Sequence, residues 1–256
     1  MKAIQELQHY LLNTYLEPER CDSQWREIYV QLLRQPDRTL DGPNFTRISA
    51  RDLWHLFSFY DEGFFRGHLR QSLNGATLTF RFSRRMTNSA GLTTMVVHRG
   101  EAVPRQFEIA LSSKLLFDAF RDGTAIEYVN GLACRDRLAA LMRVFEHELV
   151  HLAELLAWNE SQCRRERFQR IARQLFGHTD YRHQLVPSSF KEARRTGLAL
   201  GARVCFEYRG QCLVGFINRI RHRATVLVED PAGQRYSDGK RYRKFYVPLP
   251  LLKPAE

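Results

Sequence analysis

The chain reads Cys134-Arg-Asp-Arg-Leu-Ala-Ala-Leu-Met-Arg-Val-Phe-Glu-His-Glu-Leu-Val-His-Leu-Ala-Glu-Leu-Leu-Ala-Trp158 in one segment without Gly or Pro. Its apolar residues recur at intervals of three and four, which predicts a long helix that is mostly buried. They are Leu138, Leu141, Met142, Phe145, Leu149, Leu152 and Leu156. We therefore expect this helix to lie inside the protein.

This helix contains the motif His147-Glu148-Leu149-Val150-His151, which has the pattern HExxH. Two histidines four residues apart lie on one helix face about one turn from each other, so both imidazoles can bind a single Zn²⁺. Glu148 is then the candidate catalytic residue, a general base acting on water. The pattern indicates metal-assisted hydrolysis, most often of a peptide bond. The alternative is a pair of core histidines whose nitrogens are satisfied by hydrogen bonds.

The composition is that of a globular protein outside the membrane. The 256 residues are 44% hydrophobic and 26% charged, and no apolar run is long enough to span a bilayer. Glu6 and His9 interrupt the region where a signal peptide needs an apolar segment. The five cysteines are scattered and form no CxxC pair, which favours reduced thiols. We expect a cytoplasmic protein, associated with the nucleoid if it is bacterial.

Positive charge is concentrated near the C-terminal end. Residues 191–256 contain fourteen Lys and Arg against six Asp and Glu, a net charge of +8 out of +11 for the whole chain. This asymmetry favours a polyanionic partner, most simply nucleic acid. The alternative is a basic surface that serves solubility alone.

The pattern of apolar residues predicts an α+β protein in four parts. Residues 1–48 form a helical extension with a turn-rich linker, and 49–185 form a central unit with strands at 76–82, 91–97 and 107–111. Ser49 and Asp52 resemble a capping box that opens a helix. A second helix, at about 164–176, follows the HExxH helix and ends at Gly177.

After a linker at 186–200, the period changes from 3.6 to 2 over residues 201–256. About five short strands, with turns at 209–210, 231–233 and 237–239, suggest a small barrel of SH3-like size. Its basic residues are candidates for contacts with nucleic acid: Arg219, Arg221, Arg223, Arg241, Arg243 and Lys244. The aromatics among them can stack on unpaired bases, but at least half must belong to the core of so small a domain: Phe216, Tyr236, Tyr242, Phe245 and Tyr246.

Several motifs in residues 49–185 resemble those of the SprT-like, or Spartan-type, zinc metalloproteases. Phe59-Tyr-Asp-Glu-Gly-Phe-Phe-Arg-Gly-His-Leu69 is similar to the family's opening helix. Phe82-Ser-Arg-Arg-Met-Thr-Asn-Ser-Ala-Gly91 is similar to its strand and turn W-S-x-R-x-x-x-x-A-G. Ile109-Ala-Leu-Ser-Ser-Lys-Leu-Leu116 resembles I-x-L-S-x-x-L-L, and His183-Gln184 resembles a histidine of bacterial members. Each motif is weak alone, but their order is that of the family.

The resemblance implies a metalloprotease domain of helices on a small antiparallel or mixed sheet, with one zinc ion. It also implies a DNA-dependent repair protease that digests proteins crosslinked to DNA, whose partners are single-stranded or structured DNA and the proteins on it. Many bacterial members end in a cysteine zinc ribbon, where this chain has the basic barrel. An extended substrate could pair with an edge offered by strand 107–111. Candidates for an oxyanion donor are His183, Tyr181 and Arg164.

The third zinc ligand departs from the family pattern. An alignment through Phe168 puts Arg164 where the family has histidine, and a guanidinium cannot bind zinc. Cys163 and His178 are the two main candidates for the position. Glu154 lies a further turn along the helix and is better suited to an outer position, and His183 also remains open.

Two alternative functions stay open. The first, which the departure at the third ligand makes plausible, is a non-catalytic DNA-binding protein with a degenerate or structural metal site. The second is a protease that cleaves a specific regulator, with the barrel binding protein partners.

Overall fold

The computed structural model describes residues 2–96, 105–120, 126–182, 185, 198–220 and 223–255. The chain divides into two compact units, Met1–Leu185 and Val186–Glu256. Its helices and strands confirm a mixed α+β architecture. Val97, His183, Gln184, Arg221 and residues 186–197 of the linker predicted at 186–200 lie outside the described residues.

The described part of the first unit contains seven helices and five short strands. The helices are α1 (Lys2–Asn13), α2 (Pro18–Arg34), α3 (Ala50–Gly63), α4 (His68–Leu73), α5 (Ser113–Ala119), α6 (Arg137–Trp158) and α7 (Glu166–Phe176). The strands are β1 (Thr77–Ser83), β2 (Gly91–Val96), β3 (Gln106–Ser112), β4 (Glu127–Val129) and β5 (Leu132–Cys134). No helix in the described ranges has both the length and the apolar character needed to cross a bilayer.

Capping residues set the ends of the helices that carry the site. The predicted capping box of α3 is confirmed, since the Ser49 backbone N–H donates to the Asp52 carboxylate over 2.8 Å. Helix α6 begins where the Asp136 side chain accepts the Ala139 N–H, also over 2.8 Å. Helix α7 ends as predicted at Gly177, whose φ of 69° lies in the left-handed region that glycine adopts without strain.

A buried arginine fixes the first turn of α6. The Arg137 guanidinium donates to the carbonyls of Leu116 and Phe117 on α5 and to those of Asn44 and Phe45 in the α2–α3 connection. Burial lowers the pKa of this guanidinium, although arginine remains protonated in proteins. These contacts tie the start of α6 to two other segments of the unit.

The three-stranded sheet of this unit is mixed, in the order β1-β3-β2. Strand β3 is parallel to β1 and antiparallel to β2. The expectation that 107–111 offers an edge is therefore wrong, because β3 is the central strand. The physical reason is visible in its side chains: Phe107 and Ile109 to Leu111 are all buried, as is typical of a strand covered on both faces. In the described part of the chain, β2 is an edge strand.

The predicted N-terminal extension belongs to the core of the first unit. Leu7 and Leu11 of α1 and Ile28 and Leu32 of α2 are buried in the same hydrophobic cluster as α6. These helices therefore stabilise the unit that carries the site.

The second unit is an antiparallel sheet in the order β10-β6-β7-β8-β9. Its strands are β6 (Arg203–Tyr208), β7 (Gln211–Ile220), β8 (Arg223–Arg235), β9 (Arg241–Pro248) and β10 (Lys253–Pro254). A separate apolar cluster includes Val204, Ile217, Val226 and Val247. This confirms a five-stranded antiparallel sheet in the C-terminal part, and its identity as an all-β, SH3-like barrel stays a prediction.

Two of the three turns predicted in this unit are confirmed. Arg209 and Gly210 both have positive φ, as a tight hairpin requires, and Gly239 has a φ of 84°. The predicted turn at 231–233 is wrong, because these residues lie within β8, where pairing with β9 shifts register. A Cβ at Gly233 would collide with the Tyr242 backbone, so glycine here permits the bulge.

Candidate metal centre

Two residues of α6 and one of the following loop bring three metal-ligating atoms together. The Nε2 atoms of His147 and His151 are 3.2 Å apart, and the Cys163 thiol completes a cluster whose donor atoms all lie within 4.8 Å of one another. Two nitrogens bound to one tetrahedral ion at about 2.0–2.1 Å would be roughly 3.3 Å apart. The histidine separation thus fits a shared metal ion.

The end of α6 brings Cys163 back toward the histidines. Asn159 caps the helix in the left-handed conformation, with a φ of 58°, and the chain reverses before α7 begins at Glu166. Burial raises the pKa of the Cys163 thiol, and the nearby Glu148 carboxylate raises it further. A metal ion must therefore displace the thiol proton when it binds.

Hydrogen bonds behind His151 fix the orientation of its ring. The His151 Nδ1 lies 2.6 Å from the Ser161 hydroxyl, which donates to Glu154 over 2.6 Å. Arg167 donates to the other Glu154 oxygen, also over 2.6 Å. In this arrangement Nδ1 carries a proton and Nε2 faces the cluster with its lone pair. Glu154 thus lies one step behind His151, in the outer position that the sequence favoured.

We expect a Ser161→Ala change to weaken metal binding about 10- to 100-fold, because the His151 ring loses its orienting partner. Competition with a chromophoric chelator measures the affinity. Ser58→Ala on α3 is the matched control, since its hydroxyl donates to the Trp54 carbonyl and accepts from Arg70. Equal affinities for the two variants would show that the hydrogen bond does not support the cluster.

Strand β2 lies directly against Glu148. The Thr93 hydroxyl donates to the Glu148 carboxylate over 2.7 Å and to its backbone carbonyl over 3.1 Å. A Cβ at Gly91 would collide with the same carboxylate, so glycine permits the close approach of strand and helix. Sequence reasoning identified the Ala90-Gly91 motif but not this contact, and it missed Thr93 and Ser161 altogether, since single hydroxyl residues carry no spacing signal.

The cluster opens into a cleft of about 580 Å³. One wall is β2 with the segment before it, and the other is the α6–α7 loop with the residues after α7. The lining residues include Asn88, Leu92, Thr93, Glu148, Arg164, Tyr181 and Arg182. Two of the predicted oxyanion candidates, Arg164 and Tyr181, thus line the cleft, and the third, His183, lies outside the described residues.

The structure does not bring His178 into the cluster. Its Nε2 lies 2.8 Å from a carboxylate oxygen of Glu146, which is fully buried on another side of α6. The Tyr60 hydroxyl donates to Glu146 over 2.7 Å, and Arg143 donates over 3.0 Å. Burial would raise the pKa of Glu146, but Arg143, His178 and Tyr60 outweigh it and hold the pKa below its ordinary value of 4.5.

We expect Glu146→Gln to lower the free energy of unfolding by about 3 kcal/mol at pH 7, since it leaves Arg143 and His178 without their buried carboxylate. A carboxylate whose pKa is lowered by folding stabilises the protein at pH values above its ordinary pKa. This stabilisation is lost as the pH falls through the pKa of the folded state. The difference from wild type should therefore shrink below pH 4.5. Urea unfolding at pH 7 and pH 4 measures this, with the exposed Glu160→Gln as control. A deficit that does not change with pH would contradict the assignment.

The predicted nucleic-acid residues of the second unit that the structure describes divide between the two faces of its sheet. Arg219, Arg223 and Lys244 are exposed, Arg243 is ion-paired with Asp230 at 2.9 Å, and Arg241 donates to the Gly233 carbonyl. Of the predicted aromatics, Tyr242 is buried and Phe245 packs against the core, whereas Tyr236 is half-buried and Phe216 and Tyr246 are exposed.

The site thus combines three donor atoms, a neighbouring carboxylate, an open cleft and an edge strand beside it. Such a set can hold a metal ion and transfer protons to and from water. Comparisons of the chain with protein-family models, with curated proteins and with solved structures give no match, so the function is inferred from the geometry of the site.

Proposed function

We propose that this protein is a zinc-dependent endopeptidase of the SprT-like type, acting on proteins that are bound or crosslinked to DNA. The observation that carries the proposal is the cluster of His147, His151 and Cys163 beside Glu148 in an open cleft. Structural zinc sites use four protein ligands, whereas catalytic sites use three and leave one position open. Three donors facing a cleft therefore favour catalysis.

The donor set favours zinc among the common divalent metals. Imidazole and thiolate ligands suit zinc, whereas Mg²⁺ and Ca²⁺ prefer oxygen ligands. When bound, zinc would polarise the scissile carbonyl and lower the pKa of water toward about 7.

Glu148 is the proton-transfer residue in this proposal. Its carboxylate accepts a proton from the attacking water and returns it to the leaving amine. The 2.7 Å hydrogen bond from Thr93 to one carboxylate oxygen fixes the orientation of the whole Glu148 carboxylate, including its other oxygen. Arg164 and Tyr181 on the opposite wall can donate to the oxyanion that forms on the substrate.

Strand β2 offers the substrate a backbone template. Its first residues, Gly91 to Thr93, line the cleft, and Leu92 and Val96 are about half exposed. An extended peptide that pairs with β2 is recognised through its main chain, so cleavage should tolerate many sequences. A protease of this kind needs restraint, and the basic second unit supports restraint through DNA binding.

The test is cleavage of a DNA-binding protein by the full-length chain before and after chelation. We expect cleavage to stop with a zinc chelator and to return when one equivalent of zinc is added. Cleavage that persists in the metal-free chain would overturn the proposal, and a zinc-loaded chain that cleaves nothing would favour the non-catalytic alternative.

A further inference from the structure

The outward face of the second unit's sheet carries cations and aromatic rings together. Alternate residues of a strand point to opposite faces, and the opposite face holds the core residues Val204, Ile217, Val226 and Val247. We call the other side the outer face. Its cations include Arg203, Arg219, Arg223 and Lys244, and its exposed rings are Phe216 and Tyr246.

The strand register aligns five of these six residues in two rows across the sheet, and Arg223 lies beside the second row, paired with Pro248. In the first row Arg203 pairs with Phe216, Phe216 with Leu227, and Leu227 with Lys244. Strands lie about 4.8 Å apart, so this row spans roughly 14 Å with a cation at each end and an aromatic ring between. In the second row Arg219 pairs with Thr225, and Thr225 pairs with Tyr246.

The two rings are far more exposed than an aromatic ring that belongs to the core of the sheet. Phe216 is 42% exposed and Tyr246 is 66% exposed, whereas Tyr242 of the same sheet is 6% exposed. Apolar rings left in solvent beside cations are a typical feature of surfaces on which unpaired bases stack while phosphates meet the cations.

The charge of the outer face is positive. Glu229 shares this face but forms an ion pair with Lys240, and Glu207 lies at the far end of β6. Arg243 contributes less to this face, since it points to the opposite face and is paired with Asp230.

We propose that the outer face binds single-stranded DNA, with Phe216 and Tyr246 stacking on bases and Arg219, Arg223 and Lys244 contacting phosphates. This deepens the proposed function and rests on it for the choice of DNA as the nucleic acid. Duplex DNA keeps its bases stacked inside the helix, so the two rings can reach bases only in an unpaired strand.

Fluorescence anisotropy with the full-length chain tests this, using a labelled 20-residue oligothymidine, the matching oligouridine and a 20-base-pair duplex. We expect Phe216→Ala and Tyr246→Ala each to weaken oligothymidine binding about tenfold and to leave duplex binding unchanged. Tyr128→Ala is the matched control, because Tyr128 is a 52% exposed tyrosine of the first unit. Phe216→Tyr should restore binding, since it keeps the ring.

The charge contribution has its own matched pair. We expect Arg219→Gln to reduce the slope of log K against log salt by about 0.7 for the single strand. Arg243→Gln removes the same charge from the opposite face and should leave the slope unchanged.

The proposal would be overturned in favour of diffuse electrostatic binding if the ring variants lost equal affinity for single strand and duplex. Equal effects of Arg219→Gln and Arg243→Gln on the salt slope would overturn it in the same way. Tighter binding of oligouridine than of oligothymidine would overturn the choice of DNA. Binding and cleavage assays on the same samples separate the two proposals, and the Glu148→Gln chain should bind single-stranded DNA as the wild type does. Wild-type chain that binds single-stranded DNA without cleaving protein would contradict only the protease. DNA-dependent cleavage by the wild type, together with unaltered DNA binding by the ring variants, would contradict only this surface.

Discussion

Replacing Glu148 with glutamine is expected to lower kcat/KM for protein cleavage about 10²- to 10⁴-fold, the usual contribution of a general acid–base residue. Glutamine has nearly the same shape and can still accept the Thr93 hydrogen bond, but it cannot take up a proton. Because Glu148 is not in the donor cluster, the variant should keep one zinc per chain. Steady-state cleavage and elemental analysis of the same sample measure both quantities.

The matched control for this variant is Glu166→Gln, in the first turn of α7 and outside the cleft-lining residues. It removes the same charge and should leave cleavage unchanged. If Glu148→Gln cleaved as wild type does, the carboxylate would have no part in proton transfer, and the HExxH assignment would be wrong.

Replacing Cys163 with alanine should abolish stoichiometric zinc binding and, with it, cleavage. The thiol is the third donor atom of the cluster, so its loss leaves only the two histidines. We expect the affinity for zinc to fall by more than the 10- to 100-fold that the loss of a supporting hydrogen bond typically costs. Isothermal titration of the metal-free chain measures this affinity.

Two further variants show whether the loss is specific. Cys212→Ala removes an exposed thiol of the second unit and should leave zinc binding unchanged. Cys163→His supplies an imidazole, the commoner third ligand of catalytic zinc sites, and should restore part of the binding. If Cys163→Ala kept full zinc affinity, the third ligand would lie elsewhere in the chain.

Much of the local structure could be predicted from the sequence because its causes are local. The apolar spacing of α6, the Ser49 capping box and Gly177 at the end of α7 each act within a few residues, and all three are confirmed. The order of the strands was not predictable in this way. It depends on which distant segments pair, so β3 was expected at an edge and lies in the centre.

The candidate site was predictable in part for the same reason. His147, Glu148 and His151 are arranged by one helix. Cys163 and His178 both follow this helix, and their separation from it in the sequence does not predict which of them lies near the two histidines. The choice between them depends on Glu146, whose buried carboxylate lies 2.8 Å from His178 on another side of α6. Neither this carboxylate nor the supporting Ser161 has a spacing signal that points to the site.

The measurement that tests the central claim most directly is cleavage of a protein crosslinked to single-stranded DNA, compared with the same protein free of DNA, by chain of known zinc content. We predict one zinc per chain and faster cleavage of the crosslinked protein, with both forms cleaved about 10²- to 10⁴-fold more slowly by Glu148→Gln. A chain that binds no zinc, or one whose cleavage is the same with and without DNA, would contradict the account.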